Sequence, residues 1–226
     1  MLGKEQRYNP KRIIERRSTQ KYFVDKIRSS LNKNTRLLDF GCGPGTFLAA
    51  AAPLCAEVTG VDISRNFIEA CRKTIHDLNV PNARAVHIEP GRLPFDDGEF
   101  DAVLMVDVIH HLEHITETLT EVFRAVKPGG QVIIFEPNKL NPLITLVHLF
   151  DRNEWGLLRV GTPGVYRRIL KPFMDIKAID FNGIVIGPES KVYTWISEIL
   201  NAPGVYPLLG WLNPKMMVSG TKNSRP

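Results

Sequence analysis

Arg36-Leu-Leu-Asp-Phe-Gly-Cys-Gly-Pro-Gly-Thr-Phe-Leu48 is the stretch whose reading decides the fold. A short apolar run ends at Asp39-Phe40, glycines follow at alternate positions (Gly41, Gly43, Gly45), and an alanine-rich segment begins at Thr46. That order reads as a buried strand, a tight glycine turn and a helix start. Glycine tolerates positive φ and carries no side chain, so such a turn lets backbone approach a ligand closely. A dinucleotide fingerprint, G-x-G-x-x-G, needs its third glycine three places after the second. Thr46 stands there, and the spacing is G-x-G-x-G with an acid ahead of it. The departure points to an adenosine cofactor other than a nicotinamide or flavin.

Outward from this turn, strand and helix patterns alternate. Residues 37–40 read as the first strand and 46–52 as a helix stopped by Pro53. Residues 57–62 read as the second strand, with Ser64 as N-cap of a helix reaching about Leu78. Residues 83–88 form the third. Residues 101–107, Asp-Ala-Val-Leu-Met-Val-Asp, are an apolar run bounded by acids, the pattern of a buried parallel strand. A helix over 116–126 and an apolar strand over 131–136 follow. Five alternations imply a doubly wound α/β sheet with helices on both faces. Upstream, Phe23, Val24, Ile27 and Leu31 share one face of a helix over 11–31, with Lys21, Lys26 and Arg28 elsewhere. Downstream, the reading is a helix over 141–150, another opened by Thr162 as N-cap with Pro163 in its first turn, strands over 176–186 and 215–220, and an amphipathic stretch near 192–200. Nothing marks a linker, so 1–226 is expected to be a single domain with a basic helical extension at 1–33 and an apolar lid at 138–172.

Ligands of open α/β sheets sit beyond the carboxyl ends of the strands, where the unusual residues gather. Asp62 ends the second strand 21 positions past Gly41, at the spacing of a carboxylate that binds two ribose hydroxyls. A bland alternative is a strand-end acid that caps the next helix. Asp107-Val-Ile-His-His-Leu-Glu-His114 follows the fourth strand. A histidine there can take a proton near neutral pH, or it can merely line the site. Metal binding by His110 and His114 is disfavoured, because the H-E-x-x-H order is absent; no metal is expected.

Asp39-Phe-Gly-Cys-Gly-Pro-Gly45 resembles the first motif of class I S-adenosylmethionine (SAM) methyltransferases, most of all the group that methylates small molecules and lipids. Glu89-Pro-Gly-Arg-Leu-Pro-Phe95, Asp96–Asp101 and Val126–Ile133 resemble that family's later stretches, so the likeness runs over about 35–137. It implies a Rossmann-like, mostly parallel seven-stranded sheet in the order 3-2-1-4-5-7-6 with the last strand antiparallel. It also implies a SAM site lined by Asp39, Gly41, Cys42, Gly43, Gly45, Asp62, Ile63, Glu89, Pro90, Gly91 and Asp107, with Glu89 where the family has an acid for the adenine amino group. Alignment with quinone-pathway O-methyltransferases puts His111 where their loop histidine stands, with His110 beside it as a second candidate. The implied reaction is methyl transfer from SAM to a hydroxyl of a small-molecule or lipid-linked acceptor, leaving S-adenosylhomocysteine.

Composition narrows the partners. Hydrophobic content of 43% and charged content of 23% suit an ordinary globular protein. Three cysteines without C-x-x-C spacing argue against a disulfide framework or zinc site and for a reducing cytoplasm. No apolar run reaches the roughly 18 residues that span a bilayer. The net charge of +5 is unevenly spread: residues 1–36 hold 11 Lys/Arg against 3 Asp/Glu. That basic start could meet an anionic membrane surface and place the protein at its periphery, or it could be a solvated helix face. Phe150, Trp155, Tyr166 and Trp195 are candidates for an apolar acceptor pocket, or for core. A nucleic-acid methyltransferase is disfavoured, because the loop after the fourth strand lacks an Asn/Asp-Pro-Pro-Tyr pattern and the basic segment lacks stacking aromatics beyond Tyr8 and Tyr22. A dehydrogenase lacks its third glycine. A non-catalytic SAM-binding scaffold remains open, as do the acceptor and the oligomeric state.

Overall fold

The computed structural model describes residues 9–150, 155–184 and 191–224. Seven strands form one sheet: β1 (Arg36–Phe40), β2 (Glu57–Asp62), β3 (Ala83–His87), β4 (Phe100–Val106), β5 (Val126–Pro137), β6 (Met174–Asn182) and β7 (Lys215–Lys222). Their order is 3-2-1-4-5-7-6. The pairs from β3 to β5 are parallel, and β7 lies antiparallel to both β5 and β6. Both the expected order and the reversed last strand are present. Asp39 in β1 pairs across to Gly60 on one side and Leu104 on the other. After β1 the chain winds outward through β2 and β3, then returns to start β4 on β1's other flank. The crevice between the carboxyl ends of β1 and β4 is therefore the switch point, where ligands of such sheets bind.

Side chains alternate across the sheet and build a core on each face. Leu37, Leu104 and Phe135 pack with Phe23, Leu48 and Ile68 on one side. Leu38, Met105 and Ile134 pack with Val122, Phe123 and Tyr166 on the other. The first layer rests on α3 (Thr46–Ala51) and α4 (Arg65–Asp77), whose N-cap Ser64 accepts a hydrogen bond from Phe67 N. The second rests on α5 (Ile115–Ala125). Phe23 sits 4.7 Å from Phe47 and 5.3 Å from Phe135, centroid to centroid, and so ties the amino-terminal helices to the sheet.

Those amino-terminal helices depart from a single helix over 11–31. α1 (Pro10–Glu15), capped by the Asn9 side chain, stops at Arg16, whose ψ of 135° is extended. α2 spans 17–27 and contains a π-helical turn at Gln20–Val24. The predicted face is nonetheless buried: Phe23, Val24, Ile27 and Leu31 are all inside. Downstream lie α6 (Pro142–Leu149), α7 (Gly156–Val160), α8 (Pro163–Leu170), α9 (Lys191–Leu200) and α10 (Tyr206–Leu209). Thr162 occupies the N-cap position of α8, but its side chain makes no capping hydrogen bond, and Pro163 at the first position sets the helix start alone. The expected strand over 176–186 begins earlier, at Met174, and ends at Asn182; residues 185 and 186 lie outside the described residues, as does Tyr8. Among the described residues no helix is long and apolar enough to cross a membrane.

Candidate active site

The chain leaves β1 through three left-handed glycines, with φ of 75° at Gly41, 50° at Gly43 and 83° at Gly45. Their surroundings differ. A Cβ on Gly41 would stand 2.5 Å from Val108 Cγ2, and one on Gly45 would stand 2.7 Å from Cys71 Sγ. Gly41 and Gly45 thus allow close packing against the β4 loop and α4. A Cβ on Gly43 would meet nothing within 4 Å, so this peptide faces open space at the switch point. Cys42 turns its side chain inward, buried to 7% exposure, and its thiol donates to Gly43 O at 3.7 Å; Cys42 and Cys71 are both free thiols. The neighbouring Cys71 thiol and burial push the Cys42 thiol far up.

Two carboxylates flank this turn. Asp62, at the end of β2, accepts Gly43 N on Oδ2 at 3.0 Å and Ser64 N on Oδ1 at 2.8 Å. It therefore pins the glycine turn and the start of α4 together, and each oxygen keeps a lone pair for a ligand. Asp39 is 2% exposed, and its Oδ2 is a buried acceptor with no hydrogen-bond partner. Burial, and then the Asp62 charge, push its pKa up to about 7. A buried acceptor of this kind is costly unless something supplies a donor.

The third wall is mixed. Ile63 and Phe67 present exposed apolar surface beside Asp62. Glu89 lies on the rim, with its carboxylate 3.4 Å from Arg65 and 3.6 Å from the His87 ring. Pro90 and Gly91 are exposed next to it, with Gly91 at φ 117° and open space around its Cα. Asp107 closes β4 with φ 56°, a conformation rare outside glycine, and its N–H donates to Phe135 O at 2.9 Å. Its carboxylate pairs with Lys215 of β7, which is 6% exposed.

The two loop histidines separate. His111 is exposed on the short turn Ile109–His111, whereas His110 is 2% exposed. The His110 ring bonds through Nδ1 to Glu136 Oε2 at 2.6 Å. Glu136, wholly buried at the end of β5, also accepts Val108 N at 2.9 Å, Ile109 N at 2.7 Å and the Tyr166 hydroxyl at 3.0 Å. Burial raises the Glu136 pKa, but the His110 bond and charge and the two N–H donors outweigh it and hold the carboxyl below its ordinary value. Burial and the Glu136 charge push Tyr166 well up. Tyr166 is 0% exposed, so it belongs to the core and not to an acceptor pocket. Phe150, Trp155 and Trp195 are exposed. α7 docks on this loop through Gly156, where a Cβ would fall 1.6 Å from His110 O. Glu136 and Lys215 were missed in the sequence, although a charged residue in each of two apolar strands was the available signal. Among the described residues no group of three or more His, Cys, Asp or Glu side chains is placed to hold a metal. A cavity of about 510 Å³ between Lys11, Lys33, Pro53 and Asn79 shares no residue with this cluster.

A sheet of this order with a glycine turn at its switch point defines the Rossmann-like class I methyltransferase fold. Residues 38–134, which run from β1 into β5, match the family described as "Methyltransferase domain". It is 31% identical to demethylmenaquinone methyltransferase of Staphylococcus saprophyticus over 140 residues, covering 61% of this chain and 59% of that one. The chain thus matches little more than half the length of the demethylmenaquinone methyltransferases it resembles. Among solved structures, a SAM-dependent methyltransferase from Aquifex aeolicus superposes with a TM-score of 0.66 at 16% identity, over 95% of this chain and 98% of that one. Phosphoethanolamine N-methyltransferase 2 of Haemonchus contortus, solved with SAM, superposes with a TM-score of 0.62 at 19% identity, over 88% of this chain and 51% of that one.

The residues present fit SAM. Gly43 leaves room for a ligand against its backbone, Asp62 offers a carboxylate to a ribose, and the unpartnered Asp39 oxygen suits a cationic donor such as an α-ammonium.

Proposed function

We propose that this protein transfers a methyl group from SAM to a hydroxyl oxygen of a small apolar or lipid-linked acceptor. The observation that carries the cofactor half is the buried, unpartnered Asp39 oxygen beside an open glycine turn. In this reading Asp39 receives the α-ammonium, and the backbone of Gly41–Gly45 lies along the methionyl moiety. Asp62 holds the ribose hydroxyls, with Ile63 against the adenine and Glu89, Pro90 and Gly91 at its edge. Asp107 and the loop after it face the reacting centre. Bound SAM supplies an electrophilic methyl on a cationic sulfur. What the chain must do is align the acceptor, exclude water and take one proton. His111, exposed on the β4 loop, is the base; His110, locked to Glu136, holds that loop in place. The acceptor class is supported by the named substrate of the quinone-pathway relatives and by the apolar surface after β5.

Incubation with methyl-labelled SAM and a fractionated cell extract tests the reading. Label is expected in the lipid fraction, and label in RNA overturns the acceptor assignment. Asp62→Ala should weaken SAM binding about tenfold to a hundredfold by calorimetry, the worth of a charged hydrogen-bond acceptor; unchanged binding overturns the cofactor site. His111→Ala should keep SAM affinity and lose about a hundredfold in kcat. Retention of the full rate would leave His111 as lining only.

A further inference from the structure

The described surface is unusually apolar in one region. Of 15 large apolar residues that are exposed, 13 fall between Leu140 and Trp211, and the other two are Ile63 and Phe67 at the cofactor wall. Isolated exposed apolar residues are ordinary, but a contiguous patch calls for a partner. The elements that carry these residues are tied to one another. The Asn141 side chain at the start of α6 bonds to Leu212 O, and Asn138 Nδ2 donates to Trp211 O at 2.7 Å. At the end of α9, Asn201 Nδ2 donates to Asn213 Oδ1 at 2.8 Å. α6, α9 and the segment after α10 therefore meet at one turn. Around it stand Leu143, Leu146, Phe150 at 85% exposure, Trp195 at 63%, Leu208 at 74% and Trp211.

We infer that this face seats the protein on an anionic lipid bilayer. The inference rests on the lipid-linked reading of the acceptor and names the surface from which that acceptor is taken. Two observations favour a bilayer as occupant. All three tryptophans of the chain (Trp155, Trp195 and Trp211) are at least 42% exposed, and all lie in this region. Tryptophan is the residue whose amphipathic ring settles at the membrane–water boundary, and short apolar helices too brief to span lie in that plane. The second observation is charge. α6 carries no Asp, Glu, Lys or Arg, its one titratable side chain being His148, and the one acid of α9, Glu198, is paired with Arg17 of α2 at 3.5 Å. Tyr22 of α2 donates to Ser197 O of α9 at 3.4 Å, so the basic amino-terminal helices lie directly beside the apolar face. Arg17 and Lys21 are exposed there. An apolar face bordered by cations complements anionic headgroups. A second copy of the chain would bring two such basic borders together, which opposes a self-complementary interface.

Flotation of the purified chain with phosphatidylcholine vesicles, with and without phosphatidylglycerol, is the test. Binding is expected to be about tenfold greater with the anionic lipid, with a blue shift of tryptophan emission and reduced quenching by acrylamide. Leu208→Glu/Trp211→Glu should lose that binding about tenfold while keeping SAM affinity and the melting temperature. Wild-type protein that stays with neither vesicle, or binds both equally, overturns the proposal. So does a double variant that is folded and still binds, or a solution dimer that the double variant dissolves. If the double variant does not fold, the wild-type emission shift decides alone. SAM binding and methyl transfer to a detergent-dispersed acceptor read the catalytic proposal separately, so either can fail without the other.

Discussion

Asp39→Asn is expected to stabilise the ligand-free protein at pH 8 while weakening its grip on SAM. Burial and the neighbouring Asp62 charge lift the Asp39 pKa from 3.8 to about 7. A carboxyl whose pKa is raised on folding contributes its full stability below the unfolded value and loses it as pH climbs through the folded one. Above pH 7 the native state thus holds a buried anion with an unpartnered oxygen, at a cost of order 4 kcal/mol. Asparagine removes the charge but still buries an amide, which returns part of that gain. A net stabilisation of about 1–3 kcal/mol at pH 8 follows, or roughly 3–10 °C in melting temperature for a chain of this size. The gain should shrink as pH falls from 7 to 4, where aspartate is itself protonated. SAM affinity should drop about tenfold to a hundredfold at pH 7.5, because the ammonium loses its counter-charge. Wild-type affinity should rise between pH 5.5 and 7.5, and Asp39→Asn should flatten that rise. A variant that melts lower at pH 8 and binds SAM normally would make Asp39 a structural residue.

That trade of stability for binding was half visible in the sequence. The acid ahead of the glycines marked the position, and the apolar runs on either side required burial. The second strand was read to the residue at 57–62 and the fourth to within one, because parallel strands covered on both faces are continuously apolar. What could not be read is contact between distant segments. Asp107 and Lys215 are 108 residues apart, and Glu136 gathers partners 26–30 residues away on both sides. No local period encodes such pairs; the first follows from β7 inserting beside β5, and the Glu136 cluster from β4 pairing with β5 and α8 packing on that side of the sheet. The break at Arg16 was invisible for the opposite reason. The apolar residues that define the helical face, Phe23 to Leu31, all lie beyond it, so their spacing carries no trace of the break.

The deepest of these contacts also has the largest consequence. Glu136→Ala removes one carboxylate and strands four donors: the Val108 and Ile109 amides, the His110 ring and the Tyr166 hydroxyl. None has water to turn to, since Glu136, His110 and Tyr166 are each at most 2% exposed. Breaking a buried charged network from one side costs about 3–5 kcal/mol. On the proposed mechanism the damage reaches the reacting centre, because the loop so held carries His111 and begins at Asp107, already in a left-handed conformation. Glu136→Gln separates fold from function. It keeps the shape and one acceptor oxygen, but its amide must point a donor at other donors. This variant should remain folded, bind SAM within a few-fold of wild type because the Asp62 contacts with Gly43 and Ser64 do not involve Glu136, and lose methyl transfer about tenfold or more in kcat. The pH response is a second reading. A carboxyl held below its ordinary 4.5 contributes stability above that value and loses it as pH falls beneath it. Wild-type protein should therefore lose stability steeply below pH 4.5, and Glu136→Gln should show a shallower acid limb. A Glu136→Gln enzyme with the full kcat and the wild-type acid limb would mean that this carboxylate neither positions the loop nor carries charge in the native state.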